Sequence, residues 1–154
     1  MSNSALIFNG KEIAAKYLEK LSKDLHELRQ SKALLTLATL QVGSAHDTHL
    51  YASAIDRLLK KLGIQHEPLN FLETIQEKEL REEVSKISKN PKITGIMIFA
   101  PLPKHIALEN ILRAMDILKD AEGRRMPLAS KSGVMPPTAM AAIALFEETG
   151  CSAA

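Results

Sequence analysis

The side chains that could do chemistry gather first in residues 42–63, where a Val-Gly turn leads from an apolar run into an amphipathic helix. Tyr51 lies on this helix, and its ring offers an aromatic face against which a flat ligand could pack. One helical turn later stands Ile55. Because an isoleucine can neither donate nor relay a proton, the segment offers a stacking surface but no acid or base at position 55.

A second group of candidate side chains lies at the start of the same helix. His46 and His49 flank Asp47 and could bind a metal ion, but two histidines without a third ligand seldom form a site. Asp47 fits better as the N-cap or a first-turn acid, because the N-terminal end of a helix favours negative charge. The sequence therefore predicts no metal site.

Basic residues and the single cysteine give weaker signals. Arg124 and Arg125, together with Lys131, could meet a phosphate, although the more frequent role of such residues is a solvated loop. Cys151 is the only cysteine, so an internal disulfide is excluded and a reducing compartment is favoured. We interpret its thiol as inert.

Charge and length narrow the class of protein. The 20 basic and 18 acidic side chains are interspersed, and the net charge of +2 gives no footprint for nucleic acid or an anionic membrane. The N-terminus lacks the pattern of a secretory leader, and no apolar run reaches the roughly 18 residues of a membrane span. The 154 residues suit one globular domain, residues 1–154, which we expect to be cytoplasmic.

Apolar periodicity predicts strands that alternate with helices. Runs of apolar residues indicate strands at 34–42, 66–72 and 93–100, and three-and-four spacing indicates helices at 10–30, 48–62, 77–89, 107–115 and 138–148. This order predicts an α/β fold, a three-layer α/β/α sandwich with a mainly parallel sheet. Ligands of such sheets bind beyond the carboxyl ends of the strands, here residues 43–51, residues 99–104 and the loop that follows the helix ending near Met115. The long stretch 119–137 is expected to be functional or mobile.

Five motifs in a fixed order carry a family resemblance. They are GKEIAA, VG with Tyr51 in a helix that ends in LGI, GIMIFAPLPKHI, KDAEG and MPPTAM. Over residues 9–149 this order resembles the N-terminal catalytic domain of the bifunctional methylenetetrahydrofolate dehydrogenase/methenyltetrahydrofolate cyclohydrolase family. The resemblance implies one-carbon chemistry on 5,10-methylene- and 5,10-methenyltetrahydrofolate.

The resemblance also implies an NADP-binding Rossmann domain after the last helix, but the present chain ends at Ala154. None of its glycines lie two residues apart, so it contains no Gly-x-Gly-x-x-Gly turn. We therefore expect no cofactor site within residues 1–154. Whether the chain is part of a longer protein stays open.

The resemblance assigns roles to individual positions. The residues that would bind substrate are Thr48, where the family has serine, Tyr51, the turn Pro101, Leu102 and Pro103, and Glu122, where the family has aspartate. At the two catalytic positions, Ile55 replaces the family's lysine and Phe99 replaces the glutamine that assists it. No confident catalytic residue remains.

Two functions from different classes fit these substitutions. The chain is either a folate-binding catalytic domain that is impaired or inactive, or a non-catalytic binding or regulatory module that uses the old cleft or a docking surface for a partner protein or second domain. A divergent enzyme that uses Glu122 or the histidines is a third option without an assembled set of residues. Ile55 and Phe99 themselves fit extra core filling better than a repurposed apolar pocket, because paired apolar replacements can be nearly neutral for stability.

Overall fold

The computed structural model describes residues 9–31, 34–43, 46–125 and 134–150, and of residues 46–49 only the backbone. Each helix and strand predicted from the sequence is present, in the predicted order. The elements are α1 (Gly10–Gln30), β1 (Thr36–Val42), α2 (His46–Leu62), β2 (Gln65–Phe71), α3 (Glu77–Lys89), β3 (Gly95–Ile98), α4 (Leu108–Arg113), a 3₁₀ turn (Ile117–Lys119) and α5 (Pro137–Glu147).

The strands form a parallel sheet of order β2-β1-β3. Because β2 and β3 flank β1 on opposite sides, the connections through α2 and α3 run in opposite directions, and right-handed crossovers place them on opposite faces. Contacts agree with this: Thr39 of β1 bonds a histidine that also bonds α2, whereas its neighbours Ala38 and Leu40 pack into the core with α3. The predicted α/β sandwich with a parallel sheet is confirmed.

The main hydrophobic core lies on the face of the sheet that packs against α3 and α4. Alternate strand residues point to this face, as expected for the two-residue repeat of a strand. Its largest fully buried side chains are Leu40, Leu80, Val84, Ile93, Ile96, Ile98 and Ile111. With this face filled mainly by hydrocarbon, the polar pair of Thr39 and His66 lies on the α2 face.

Several predicted ends of elements differ from the structure by one or two residues, and two of these differences affect the site region. β3 begins at Gly95 rather than at residue 93, because the Thr94 hydroxyl bonds the backbone of Thr36, donating to its carbonyl and accepting from its N–H. α2 begins at His46, two residues before the predicted start, so Asp47 lies in its first turn. The long stretch 119–137 is described only in part, and residues 126–133 lie outside the described residues.

The chain forms two compact units, and the single-domain assignment stays a prediction. One unit contains α1 and α5, joined by an ion pair of 2.7 Å between Lys16 and Glu148. On α5, Ile143 and Phe146 leave nearly half of their side chains exposed. The other unit, Leu34–Pro136, holds the sheet and the candidate site. No helix among the described residues is long and apolar enough to cross a membrane.

Candidate functional site

The aromatic rings of Tyr51 and Phe99 meet at the carboxyl end of the sheet. Their centroids are 5.5 Å apart and their planes cross at 64°, an edge-to-face contact. Phe99 continues β3 by one residue, since its N–H donates to the Leu40 carbonyl at 2.9 Å. Strand order reverses between β1 and β3, and such switch points are where open α/β sheets bind ligands.

The two rings differ in burial. Tyr51 leaves 53% of its surface exposed, whereas Phe99 leaves 5%. Ile55, one turn further along α2, is half-buried. Phe99 therefore belongs to the packed interior, while Tyr51 and the outer part of Ile55 remain available to a ligand. Neither Ile55 nor Phe99 carries a group that can titrate.

The turn after β3 follows Phe99 directly in the chain. It contains a cis peptide bond between Ala100 and Pro101, and Leu102 and Pro103 are half-buried. The N–H of Ile106 donates to the Pro103 carbonyl at 2.9 Å. Of the residues of this predicted binding turn, Pro103 is thus tied by a backbone hydrogen bond to the segment that precedes α4.

Glu122 lies two residues after Asp120, which forms an isolated parallel bridge with Ile96 of β3. Its carboxylate pairs with the Arg124 guanidinium at 2.8 Å and also accepts from the backbone N–H of Ile98. Burial raises the pKa of Glu122 above its usual value, and the positive charge of Arg124 opposes this rise. The charge of the Glu122 carboxylate is therefore partly balanced by Arg124. Its backbone partner, Ile98, is the residue that precedes Phe99.

Asp120 is a buried acid that the sequence analysis did not single out. Its carboxylate accepts from the N–H groups of Glu122 at 3.1 Å and Arg125 at 2.8 Å, which fixes the loop that presents Glu122. The Arg125 guanidinium in turn donates to the Met115 carbonyl. Aspartate side chains often accept a hydrogen bond from the backbone N–H two residues later and so form a turn. Asp120, followed by Gly123, was therefore the sequence signal from which this turn could have been predicted.

Several predicted site residues lie where the structure gives little information. Thr48 lies within α2, but its side chain is outside the described residues, as are those of His46, Asp47 and His49. Lys131 and Cys151 are also outside them. Within the described part of the chain, no three metal-binding side chains form a cluster. The roles proposed for the substrate-binding residues stay predictions.

Comparison with known proteins identifies the family. Residues 8–122 match the model of the tetrahydrofolate dehydrogenase/cyclohydrolase catalytic domain. The chain is 36% identical over 118 residues to the bifunctional protein FolD of Nitratiruptor sp., covering 76% of this chain and 42% of that protein. It is 37% identical over 117 residues to FolD of Nautilia profundicola, covering 76% and 41%. The chain therefore belongs to the tetrahydrofolate dehydrogenase/cyclohydrolase catalytic domain family, and it spans less than half the length of these relatives.

Solved structures give the same result. The bifunctional FolD of Campylobacter jejuni superposes with a TM-score of 0.84 at 25% identity, over 92% of this chain and 52% of that one. The bifunctional enzyme of Thermoplasma acidophilum superposes at 0.76 with 29% identity, over 94% and 53%. FolD of Trypanosoma brucei, solved with NADP and an inhibitor, shares the fold at 0.85 with 20% identity, over 97% and 54%.

Proposed function

We propose that this chain is a folate-binding domain of one-carbon metabolism whose cyclohydrolase and dehydrogenase chemistry is impaired or lost. The observation that carries the proposal is the contact of Tyr51 with Phe99 beside Ile55. An aromatic stacking surface is retained there, while the two positions that hold lysine and glutamine in the resembled family carry hydrocarbon. Water attack on a methenyl bridge needs a positioned proton acceptor, and neither side chain can supply one.

Glu122 does not replace the missing base in this proposal. Its carboxylate already pairs with Arg124 and accepts a backbone hydrogen bond. We propose instead that Glu122 accepts hydrogen bonds from the donor groups of the pterin ring, the role that the family resemblance implies for the shorter aspartate. Because Glu122 is one methylene longer and its charge is partly satisfied by Arg124, we expect weak folate binding, with a dissociation constant of tens of micromolar or poorer, roughly 6 kcal/mol.

We propose no nicotinamide-binding role for the turns that follow β1 and β3. The strand-to-helix turn after β1 has a single glycine, Gly43, and the turn after β3 has Pro101, so neither offers the Gly-rich backbone that cradles a dinucleotide phosphate. NADP would belong to a second domain, like the one that the family resemblance implies. We place the protein in the cytoplasm, with no nucleic-acid or membrane partner.

The alternative proposal is a binding or regulatory module that uses the retained cleft or a docking surface without turnover. It is supported by the burial of Phe99, because a buried aromatic ring at a former catalytic position stabilises the fold without serving a reaction. Its partner would be another protein or a second domain. The first proposal predicts impaired or absent turnover and the second predicts none, and they differ further in whether a reduced folate binds.

Two measurements test the proposal. The first follows the decay of 5,10-methenyltetrahydrofolate with and without the protein, and turnover well above the uncatalysed rate would contradict the loss of chemistry. The second is calorimetric titration with a stable reduced folate, for which we expect weak binding that Tyr51→Ala abolishes. Tyr17→Ala is the matched control, since Tyr17 on α1 is similarly exposed, at 50%, and lies in the other compact unit. Submicromolar affinity, or no effect of Tyr51→Ala, would refute the proposed site.

A further inference from the structure

A chain of polar contacts joins α2 to the sheet on the side away from Phe99. The Lys60 ammonium lies 2.7 Å from one Asp56 oxygen, and the other oxygen lies 2.9 Å from Nδ1 of His66 on β2. Nε2 of the same ring lies 2.9 Å from the Thr39 hydroxyl on β1. The His66 side chain is only 8% exposed, so the ring is held at both nitrogens within the interface between α2 and the sheet.

The chemistry of the partners fixes the direction of each bond in the neutral ring. A carboxylate can only accept, so His66 Nδ1 carries the hydrogen and donates it to Asp56, and Nε2 accepts from the Thr39 hydroxyl. Lys60 first, and then His66, lower the pKa of Asp56, which keeps this carboxyl ionised as an acceptor. The link from helix to strand is therefore charge-assisted.

This link and the ring contact lie on different flanks of α2. Asp56 follows Tyr51 by five residues, which corresponds to about 140° around the helix and about 7.5 Å along it. Asp56 reaches β2 on one side of β1, and Tyr51 reaches Phe99, which follows β3 on the other side. A rotation of α2 by 20° would carry a side-chain tip about 2 Å sideways, given a helix radius of about 5–6 Å with side chains.

We propose that His66 is a positioning residue of the ligand cleft: by holding Asp56 against β2 it fixes the rotation of α2 and, through it, the ring of Tyr51 over Phe99. Its effect on a ligand rests on the proposed function, in which Tyr51 is the stacking surface for a reduced folate. Its effect on the ring contact does not, because that contact exists without any ligand.

Two substitutions of His66 separate the helix link from the strand link. The amide nitrogen of His66→Asn takes the place of Nδ1 and can still donate to Asp56, but this side chain no longer reaches Thr39. The amide of His66→Gln takes the place of Nε2 and can still meet Thr39, but it loses Asp56. Thr39→Val removes the strand link alone, and Asp56→Ala removes the helix link from the other side should His66→Gln fail to fold.

The readouts are the nuclear Overhauser contact between the Tyr51 and Phe99 rings and the dissociation constant of a stable reduced folate. A Tyr17→Phe background leaves Tyr51 as the only tyrosine, since the chain has two. We expect His66→Gln and Asp56→Ala to weaken the ring contact and the affinity, the latter by about tenfold. His66→Asn and Thr39→Val should keep the ring contact and the affinity within about twofold of the wild type. We expect this even if their melting temperatures fall as much as those of His66→Gln and Asp56→Ala.

Two results would overturn the inference. One is an unchanged ring contact in both His66→Gln and Asp56→Ala, and the other is an equal effect of His66→Asn and His66→Gln on the ring contact. If the wild-type protein binds no folate, the proposed function fails, and the ring contact alone still decides the role of His66.

Discussion

Replacing Ile55 by lysine and Phe99 by glutamine, singly and together, measures whether these two positions act as one unit. Ile55 is half-buried, so its loss removes about 1 kcal/mol of burial, half of the usual value for a buried aliphatic side chain. The lysine stem can cover part of the same surface while its ammonium reaches water. We therefore expect Ile55→Lys to cost about 1–2 kcal/mol of unfolding free energy.

Phe99→Gln should cost more, because Phe99 is buried and contacts a second ring. Losing a buried aromatic side chain costs about 2–3 kcal/mol, and losing the edge-to-face pair with Tyr51 adds about 1 kcal/mol. In the double variant, the new ammonium can donate to the new amide oxygen, which neither single variant allows. We expect a favourable coupling of about 1 kcal/mol, so the double variant should cost about 4 rather than the additive 5 kcal/mol.

The assay is urea unfolding of the four proteins followed by circular dichroism. A matched control replaces Leu58, which is 40% exposed and lies one turn beyond Ile55 on α2, with lysine. Leu58→Lys combined with Phe99→Gln should be additive within about 0.5 kcal/mol, as expected for separated sites. The same additivity for Ile55→Lys with Phe99→Gln would refute the coupling and make the two replacements independent.

Two further predictions concern the loop that presents Glu122. Gly123→Ala should destabilise the protein by more than about 2 kcal/mol, because φ is +61° and a Cβ would overlap the Val134 carbonyl; Gly150→Ala, at φ +73° with open space around it, should cost only about 1 kcal/mol. Thermal melts of both variants check this, and equal losses would contradict the overlap. Burial raises the pKa of Glu122 in the folded protein above its ordinary value of 4.5. As the pH rises above 4.5, the Glu122 carboxyl therefore loses its proton in the unfolded state before it does so in the folded state. The stability of the wild type relative to Glu122→Gln should therefore fall from there up to the raised folded pKa, and unfolding titrations that show a rise would refute the burial.

The order of elements could be read from the sequence because each period is local. The apolar residues of α3 recur on one face, and β1 is a short apolar run closed by a glycine, so both were predicted close to their observed ends. Ligands bind at the carboxyl ends of parallel strands, and this rule predicted that the segments containing Tyr51 and Phe99 lie at the same edge of the sheet, where the two rings are in contact. Ends of elements depend on single contacts, such as the Thr94 hydroxyl that precedes β3, and these could not be predicted.

The polar link through His66 could not be predicted, because it depends on the register between two strands. The sequence predicted strands at 34–42 and 66–72, which contain Thr39 and His66, but it assigned neither side chain a partner. Only the pairing of β1 with β2, in which Leu37 lies opposite His66, brings the hydroxyl within reach of the ring. Sequence patterns indicate which face a residue occupies, but not its partner across the sheet.

Burial also separates Ile55 from Phe99, for both of which the sequence favoured core filling over an apolar pocket. Phe99, with 5% of its surface exposed, is part of the interior, as core filling predicts. Ile55 is only half-buried and lies one turn from an exposed tyrosine, so part of its side chain remains accessible beside that ring, which fits the wall of the proposed cleft better than core filling. Because Tyr51 and Ile55 are both carried by α2, we expect the placement of that helix to affect what the proposed cleft binds. The contacts that fix α2, on its β2 flank through Asp56 and on its β3 flank through Tyr51, are therefore where a change should alter binding without touching the ligand.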